Sequence, residues 1–202
     1  MRIVVAGVGR IGGTLARIWA GGGHEVVLTL SRREEEVRRL AGEIGATMAA
    51  PSEAVDGADV VLLAVPAGAE EEALAALGSL DGRVLIDAVN DVGRSEPGSV
   101  AQDVAAKAPG ARVVKAVNTV FAPMYPESAA APGRAHMVIC GDDGEAKETV
   151  AALVRDLGLE PVDAGGLDAA PEVEAFARLV IRLAYRQGLG PFAYRFGSPR
   201  EL

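Results

Sequence analysis

The sequence predicts an α/β fold built on a doubly wound, mainly parallel sheet, and three observations carry that prediction. Short apolar runs alternate along the chain with helix-spaced segments, the pattern of a sheet covered on both faces. The first run, Arg2-Ile3-Val4-Val5-Ala6, passes directly into Gly7-Val8-Gly9-Arg10-Ile11-Gly12 and then into a helical stretch. A later run, Asp59-Val60-Val61-Leu62-Leu63-Ala64-Val65-Pro66, is continuously apolar after its aspartate, as strands buried on both faces are.

The opening unit reads as strand, glycine turn, helix and strand, the context in which G-x-G-x-x-G becomes a dinucleotide-binding fingerprint. Gly7 permits the tight turn, Gly9 lets the backbone approach a pyrophosphate, and Gly12 lets the helix lie close to the strand. The pyrophosphate would sit at the helix N-terminus, where unpaired N–H groups and the dipole favour an anion. The fold expected is therefore Rossmann-like. The helix runs through Thr14-Leu15-Ala16-Arg17-Ile18-Trp19-Ala20 and stops at the glycines of residues 21–23, and residues 25–30 form the second strand.

The exit of that strand selects the dinucleotide. NAD-binding versions usually place Asp or Glu about 20 residues after the glycines, on the ribose 2′-hydroxyl. Here Leu30-Ser31-Arg32-Arg33 stands in that place, a hydroxyl and two guanidiniums with no carboxylate. Guanidinium forks suit phosphate oxygens, which favours the 2′-phosphate of NADP(H) over NAD. Ser31 also reads as the N-cap of a capping box with Glu34, and Glu34, Glu35 and Glu36 as a solvated first helical turn.

Downstream, residues 34–44 have helical spacing and end at Gly45, residues 46–49 read as a third strand, and a brief helix opens at Ser52. Pro66 ends the fourth strand; residues 70–77 are helical, and residues 83–87 form the next strand. Ser99 with Gln102 opens a helix through Ala106 as a capping box, and residues 111–116 supply another strand. The Pro- and Ala-rich stretch 121–133 reads as a loop leaving the nucleotide-binding half. A strand at residues 136–140, a helix over 143–157, a short strand at 160–163 and an amphipathic helix over 171–185 follow. The tail, residues 188–196, concentrates glycines and aromatics, either as a cover for the core or as a lip over a flat ring.

The 202 residues suit one unit, 1–202, with a dinucleotide-binding core at 1–120 and a C-terminal α/β extension at 134–202. A net charge of −8 with scattered arginines argues against nucleic acid as a partner. Cys140 is the only cysteine, which excludes an internal disulfide and a Cys-rich metal site; in an apolar strand it reads as a buried, inert thiol. No apolar run is long enough for a bilayer and no charged-then-apolar leader precedes the first strand, so no membrane partner and a cytoplasmic location are expected.

In open α/β sheets ligands bind beyond the carboxyl ends of the strands. The exits here are Ala64-Val65-Pro66, Ala88-Val89-Asn90 and Lys115-Ala116-Val117-Asn118-Thr119. Asn90 and Asn118 could bond a nicotinamide or an acceptor ring, or serve as turn residues.

These stretches, with Ser31-Arg32 and Tyr185-Arg186-Gln187-Gly188-Leu189-Gly190-Pro191, resemble the NADP-dependent reductases of the 8-hydroxy-5-deazaflavin coenzyme F-420. The same fold forms the nucleotide-binding part of metalloreductases. The resemblance implies Gly9 to Gly12, with Arg10 and Ile11, on the pyrophosphate and Ser31 and Arg32 on the 2′-phosphate, with Arg33 beside them. It places Val65, Pro66 and Asn90, and Ala64 before them, near the nicotinamide. Ala116 and Asn118 would floor the site where the second ring stacks. Two positions depart from the family pattern, Val117 where Phe is usual and Asp91 where Pro is common. Cofactor binding therefore carries over better than acceptor identity.

The expected activity is that of an NADP(H)-dependent oxidoreductase passing hydride between NADPH and a deazaflavin, coenzyme F-420, or a flavin-like acceptor. Positioning is most of the catalysis in such a transfer, and no catalytic acid/base residue and no metal ligand is assigned. His24 follows the helix stop and His136 begins a strand, so neither suits a general acid. The alternatives are a reductase of a small carbonyl or imine at a homodimer interface, and an NADPH-binding module without chemistry.

Overall fold

The computed structural model describes residues 1–31, 33–95, 97–131 and 133–198. Among these, eight strands form one sheet in the order β3-β2-β1-β4-β5-β6-β7-β8. The first six are β1 (Arg2–Ala6), β2 (Glu25–Thr29), β3 (Thr47–Met48), β4 (Val60–Leu63), β5 (Val84–Asp87) and β6 (Arg112–Lys115), all parallel. Next, β7 (His136–Gly141) runs antiparallel to β6, pairing Lys115 with Cys140, and β8 (Glu160–Asp163) lies parallel to β7 at the far side. The Rossmann-like α/β architecture read from the sequence is the one observed, with the C-terminal strands continuing the same sheet.

Strand alternation sorts the core into two layers. Ile3, Val5, Val60, Leu62, Val84 and Ile86 face α1 (Arg10–Gly21), α2 (Glu34–Ile44) and α7 (Gly144–Asp156), where Leu15, Trp19, Leu40, Val150 and Leu153 meet them. Their neighbours Val4, Ala6, Val61, Leu63 and Leu85 face α3 (Pro51–Ala54), α4 (Glu70–Leu77), α5 (Val100–Lys107) and α8 (Ala170–Ile181). Central strands buried on both faces have no polar position to spare, which is why they read as unbroken apolar runs.

Three expectations are corrected. Residues 121–133 are not a plain loop: a 3₁₀ turn (Ala122–Met124) leads into α6 (Tyr125–Ala130). Pro123 and Pro126 sit in first turns, where the missing N–H costs nothing, so here proline marks helix starts. Tyr125 is buried against the core, and the Ser128 hydroxyl donates to the Gly158 carbonyl and accepts from Ala135 N. Second, Ser31 is not the N-cap of α2. The cap position is Arg33, and the Ser31 hydroxyl accepts from Arg33 N at 3.2 Å. Third, the last helix ends at Ile181 and a π-helical turn, Arg182–Arg186, carries it on through Tyr185. The Ser99–Gln102 capping box forms with both reciprocal bonds.

Candidate functional site

Strand order steps outward in opposite directions from β1, to β2 on one side and β4 on the other. A crevice opens at that switch point, beyond the carboxyl ends of the strands. A cavity of about 570 Å³ lies there, walled by the turn after β1, the exit of β2, the exit of β4 and one face of α4.

The glycines make the turn possible. Gly7 has φ +99°, open to glycine at no steric cost, and its N–H bonds to the Thr29 carbonyl. A Cβ on Gly12 would collide with the Gly7 carbonyl, so α1 can lie this close to β1 only with glycine there. Gly9 differs from both: a Cβ there would meet nothing within 4 Å, and its space opens on the cavity it lines.

The N-terminus of α1 is chemically distinct from its neighbours. Gly9 is the N-cap, no side chain caps it, and the first turn holds no acidic residue. By contrast α2 opens on Glu34, Glu35 and Glu36, and α4 on Glu70, Glu71 and Glu72. Carboxylates complement those two dipoles internally, whereas the amides of α1 are left for an anion from outside.

Most of the sequence-derived site residues meet in this cavity. Gly7, Gly9, Arg10 and Ile11 form its base, Ser31 and Arg33 one rim, and Ala64, Val65 and Pro66 the opposite wall. Strand β4 ends at Leu63, and Ala64 to Pro66 beyond it line the space, with Ala64 N still bonded to the Ala6 carbonyl at 2.8 Å. Gly12 is buried behind the turn, where its contribution is close packing. Arg32 lies outside the described residues. Arg33 is exposed and ion-paired with Glu36 at 3.0 Å.

Asn90, Ala116 and Asn118 are not part of this wall. They form a second group at the exits of β5 and β6, where Asn90 Nδ2 donates to the Asn118 carbonyl at 3.0 Å. Ala116 is fully buried, and both amide atoms of the Asn118 side chain are buried without a hydrogen-bond partner among the described residues. Between them Val117 has φ +60°, a costly conformation for a β-branched residue. Functional sites are where such strain and such orphaned polar atoms concentrate.

Several features escaped the sequence reading. Leu30, φ +51°, lines the cavity at the β2 exit, and α4 contributes Ala69, Glu72, Ala73 and Ala76. Small residues at i, i+4 and i+7 leave a slot between α4 and the Ser31 loop. That spacing is visible in the sequence, but alanines on one helix face read equally well as close helix packing. A buried charge cluster also went unseen: Lys115 Nζ lies 2.9 Å from Asp87 Oδ2 and 3.0 Å from Glu174 Oε1, all three side chains being within the core. Burial pushes the Asp87 carboxyl above its ordinary range, against the opposing pull of the Lys115 ammonium.

Both histidines have other work. His24 Nε2 contacts Asp156 Oδ2 at 3.0 Å, and His136 Nδ1 accepts from Phe196 N at 2.9 Å. The tail lies over the core edge, with Tyr194 edge-on to Phe176 and to Phe196, and Phe196 tilted against Phe176. The Tyr194 hydroxyl donates to Thr119 Oγ1 at 2.7 Å. Among the described residues no helix is long and apolar enough to cross a membrane.

Residues 2–91 match the family described as NADP oxidoreductase, coenzyme F420-dependent. The rat (Rattus norvegicus) metalloreductase STEAP3 is 30% identical over 177 residues, covering 86% of this chain; the chain spans only 36% of that relative. A crystal structure from Arthrobacter sp. FB24, provisionally named an F420-dependent NADP-reductase, superposes with a TM-score of 0.85 at 27% identity, covering 98% of this chain and all of the other. A reductive aminase from Aspergillus terreus, solved with NADPH, has a TM-score of 0.71 at 22% identity over 93% of this chain and 62% of its own. At that identity the likeness is one of fold.

Proposed function

We propose that the chain, whose residues 2–91 match the coenzyme F420-dependent NADP oxidoreductase family, is an NADP(H)-dependent oxidoreductase transferring hydride between NADPH and a deazaflavin, coenzyme F-420, or a flavin-like acceptor. The observation that carries this reading is the α1 N-terminus, uncapped, free of carboxylates and open to a 570 Å³ cavity at the switch point. The space above Gly9 fits a pyrophosphate, because the position has room for one and no side chain of its own.

When bound, the reduced nicotinamide supplies the hydride. The chain's own residues do the holding. Amides of the Gly7–Gly12 turn bind the pyrophosphate, and Ser31, Arg32 and Arg33 take the 2′-phosphate. The alanine face of α4 (Ala69, Ala73, Ala76) leaves a slot for the adenine, and Ala64, Val65 and Pro66 form an apolar wall that excludes water beside the reacting ring. Asn90 and the unpaired carboxamide of Asn118 offer the polar groups at the acceptor end; an unmatched buried amide costs about 1–3 kcal/mol, which a bound ring could offset by bonding it. The protein is taken to act as a homodimer in the cytoplasm.

Calorimetry with NADPH and NADH, followed by NADPH oxidation with coenzyme F-420, with FMN and with a cyclic imine, tests the reading. NADPH binding and turnover with the deazaflavin or FMN support it. Turnover confined to the imine would replace the acceptor class, and tight binding without turnover would make the protein a nucleotide-binding module.

A further inference from the structure

The Lys115 cluster is fully buried and lies outside the cavity, yet its bonds converge on the residue before Asn90. Lys115 Nζ donates to the Val89 carbonyl at 2.6 Å and to Asp87 Oδ2 at 2.9 Å, and it is ion-paired with Glu174 Oε1 at 3.0 Å. The other Asp87 oxygen accepts from Val89 N at 2.9 Å. Both polar backbone groups of Val89 are therefore held by the same pair of side chains. Lys115 itself ends β6, three residues before Asn118, and Asn90 reaches back to the Asn118 carbonyl.

Glu174 anchors the cluster from the other side. Its carboxylate accepts from Val100 N at 3.1 Å and Ala101 N at 3.2 Å, the first amides of α5, so one negative charge rests on a helix N-terminus. Stability alone does not explain such an arrangement. Buried ion pairs give little or no net stabilisation over well-packed apolar residues, and their best-supported role is to fix one geometry among several. Here the geometry fixed is the relative placement of the two strand exits.

We propose that Lys115 is a positioning residue for hydride transfer: by clamping Val89 between Asp87 and β6, it sets Asn90 and Asn118 against the nicotinamide and acceptor rings without touching either. The proposal rests on the function proposed above. It divides the site in two, since the adenine and phosphate half, made by Gly9, Ser31 and α4, shares no hydrogen bond with the clamp among the described residues.

The test uses the full chain in two variants. Lys115→Arg keeps the charge, but a planar fork cannot reproduce three convergent ammonium contacts in a closed space. Lys115→Met combined with Asp87→Asn leaves the formal charge of the cluster unchanged, so it avoids stranding an extra buried anion. Three readouts are taken on folded protein: affinity for adenosine 2′,5′-bisphosphate, hydrogen exchange of the Asn90 carboxamide without ligand, and the single-turnover rate from NADPH to coenzyme F-420 and to FMN. The expected result is bisphosphate affinity within twofold of the unmodified protein, faster Asn90 exchange, and a hydride rate lower by about tenfold to a hundredfold, the scale of a sub-ångström to 1 Å misplacement. A variant that retains the unmodified hydride rate overturns the positioning role alone. So does a parallel loss of bisphosphate affinity and rate, which marks a merely structural residue. Absence of transfer in the unmodified protein overturns the functional reading and this proposal with it.

Discussion

The Trp19 indole donates to the Leu153 carbonyl at 3.2 Å, joining residues 134 positions apart in the chain. Leu153 lies in the last turn of α7, where carbonyls run out of intrahelical donors, and Leu157 N bonds to Val154 instead. The bond fastens the C-terminal layer to the first helix of the nucleotide-binding half. Trp19→Phe deletes the hydrogen bond to that carbonyl and removes part of a fully buried ring. The expected loss is about 2–4 kcal/mol in urea unfolding, from the hydrogen bond and the cavity together. In the unmodified protein, Trp19 fluorescence and far-UV circular dichroism should report one coincident transition.

Gly9 and Gly12 should respond oppositely to the same substitution. Gly12→Ala drives a methyl into the Gly7 carbonyl, so it should lower Tm and binding together. Gly9→Ala meets nothing in the protein and should leave Tm within a degree or two, while NADPH binding falls by tenfold or more. Thermal melts beside calorimetry separate the two, and unimpaired binding by the Gly9 variant would remove the pyrophosphate from that turn.

Arg32 follows Ser31 in the sequence, where the proposed function assigns the 2′-phosphate contact. A hydrogen bond to a charged group contributes about 1.5–3 kcal/mol, equivalent to roughly tenfold to a hundredfold in affinity. Arg32→Ala should lose that much for NADPH and less than threefold for NADH. Equal losses would reassign the loop.

Burial pushes the Cys140 thiol up to about 12 from an ordinary value of 9.0. Below pH 9 the folded and unfolded chains both keep this proton. Between 9 and about 12 only the unfolded chain releases it, so stability falls by about 1.4 kcal/mol per pH unit over that window. Cys140→Ala should flatten the alkaline limb of a stability–pH curve. At pH 8 the native thiol should resist a disulfide reagent until the protein is unfolded.

How far the sequence could be read follows from the range of the signals. Gly7, Gly9 and Gly12 sit within six residues of one another, and Ser99 with Gln102 within four, so local chemistry identified both the turn and the capping box. Proline misled at Pro123 and Pro126 because a helix start and a loop use it alike. Ser31 and Glu34 had the spacing of a cap, but the chain needed Ser31 one step earlier, on Arg33 N. The Lys115 cluster joins residues 28 and 59 positions from Lys115, and only the fold brings them together. Asn90 and Asn118 were correctly marked as strand exits, but not as bonded to each other, because their register depends on β5 pairing with β6.

The sheet is poorly suited to growth at either border. One outermost strand, β3, is two residues long, and the other, β8, carries Pro161 between Glu160 and a carboxylate-terminated end at Asp163. A missing donor, a short ladder and flanking negative charge each discourage another chain from docking by main-chain pairing. Self-association by sheet extension, and the aggregation that accompanies it, is thereby disfavoured.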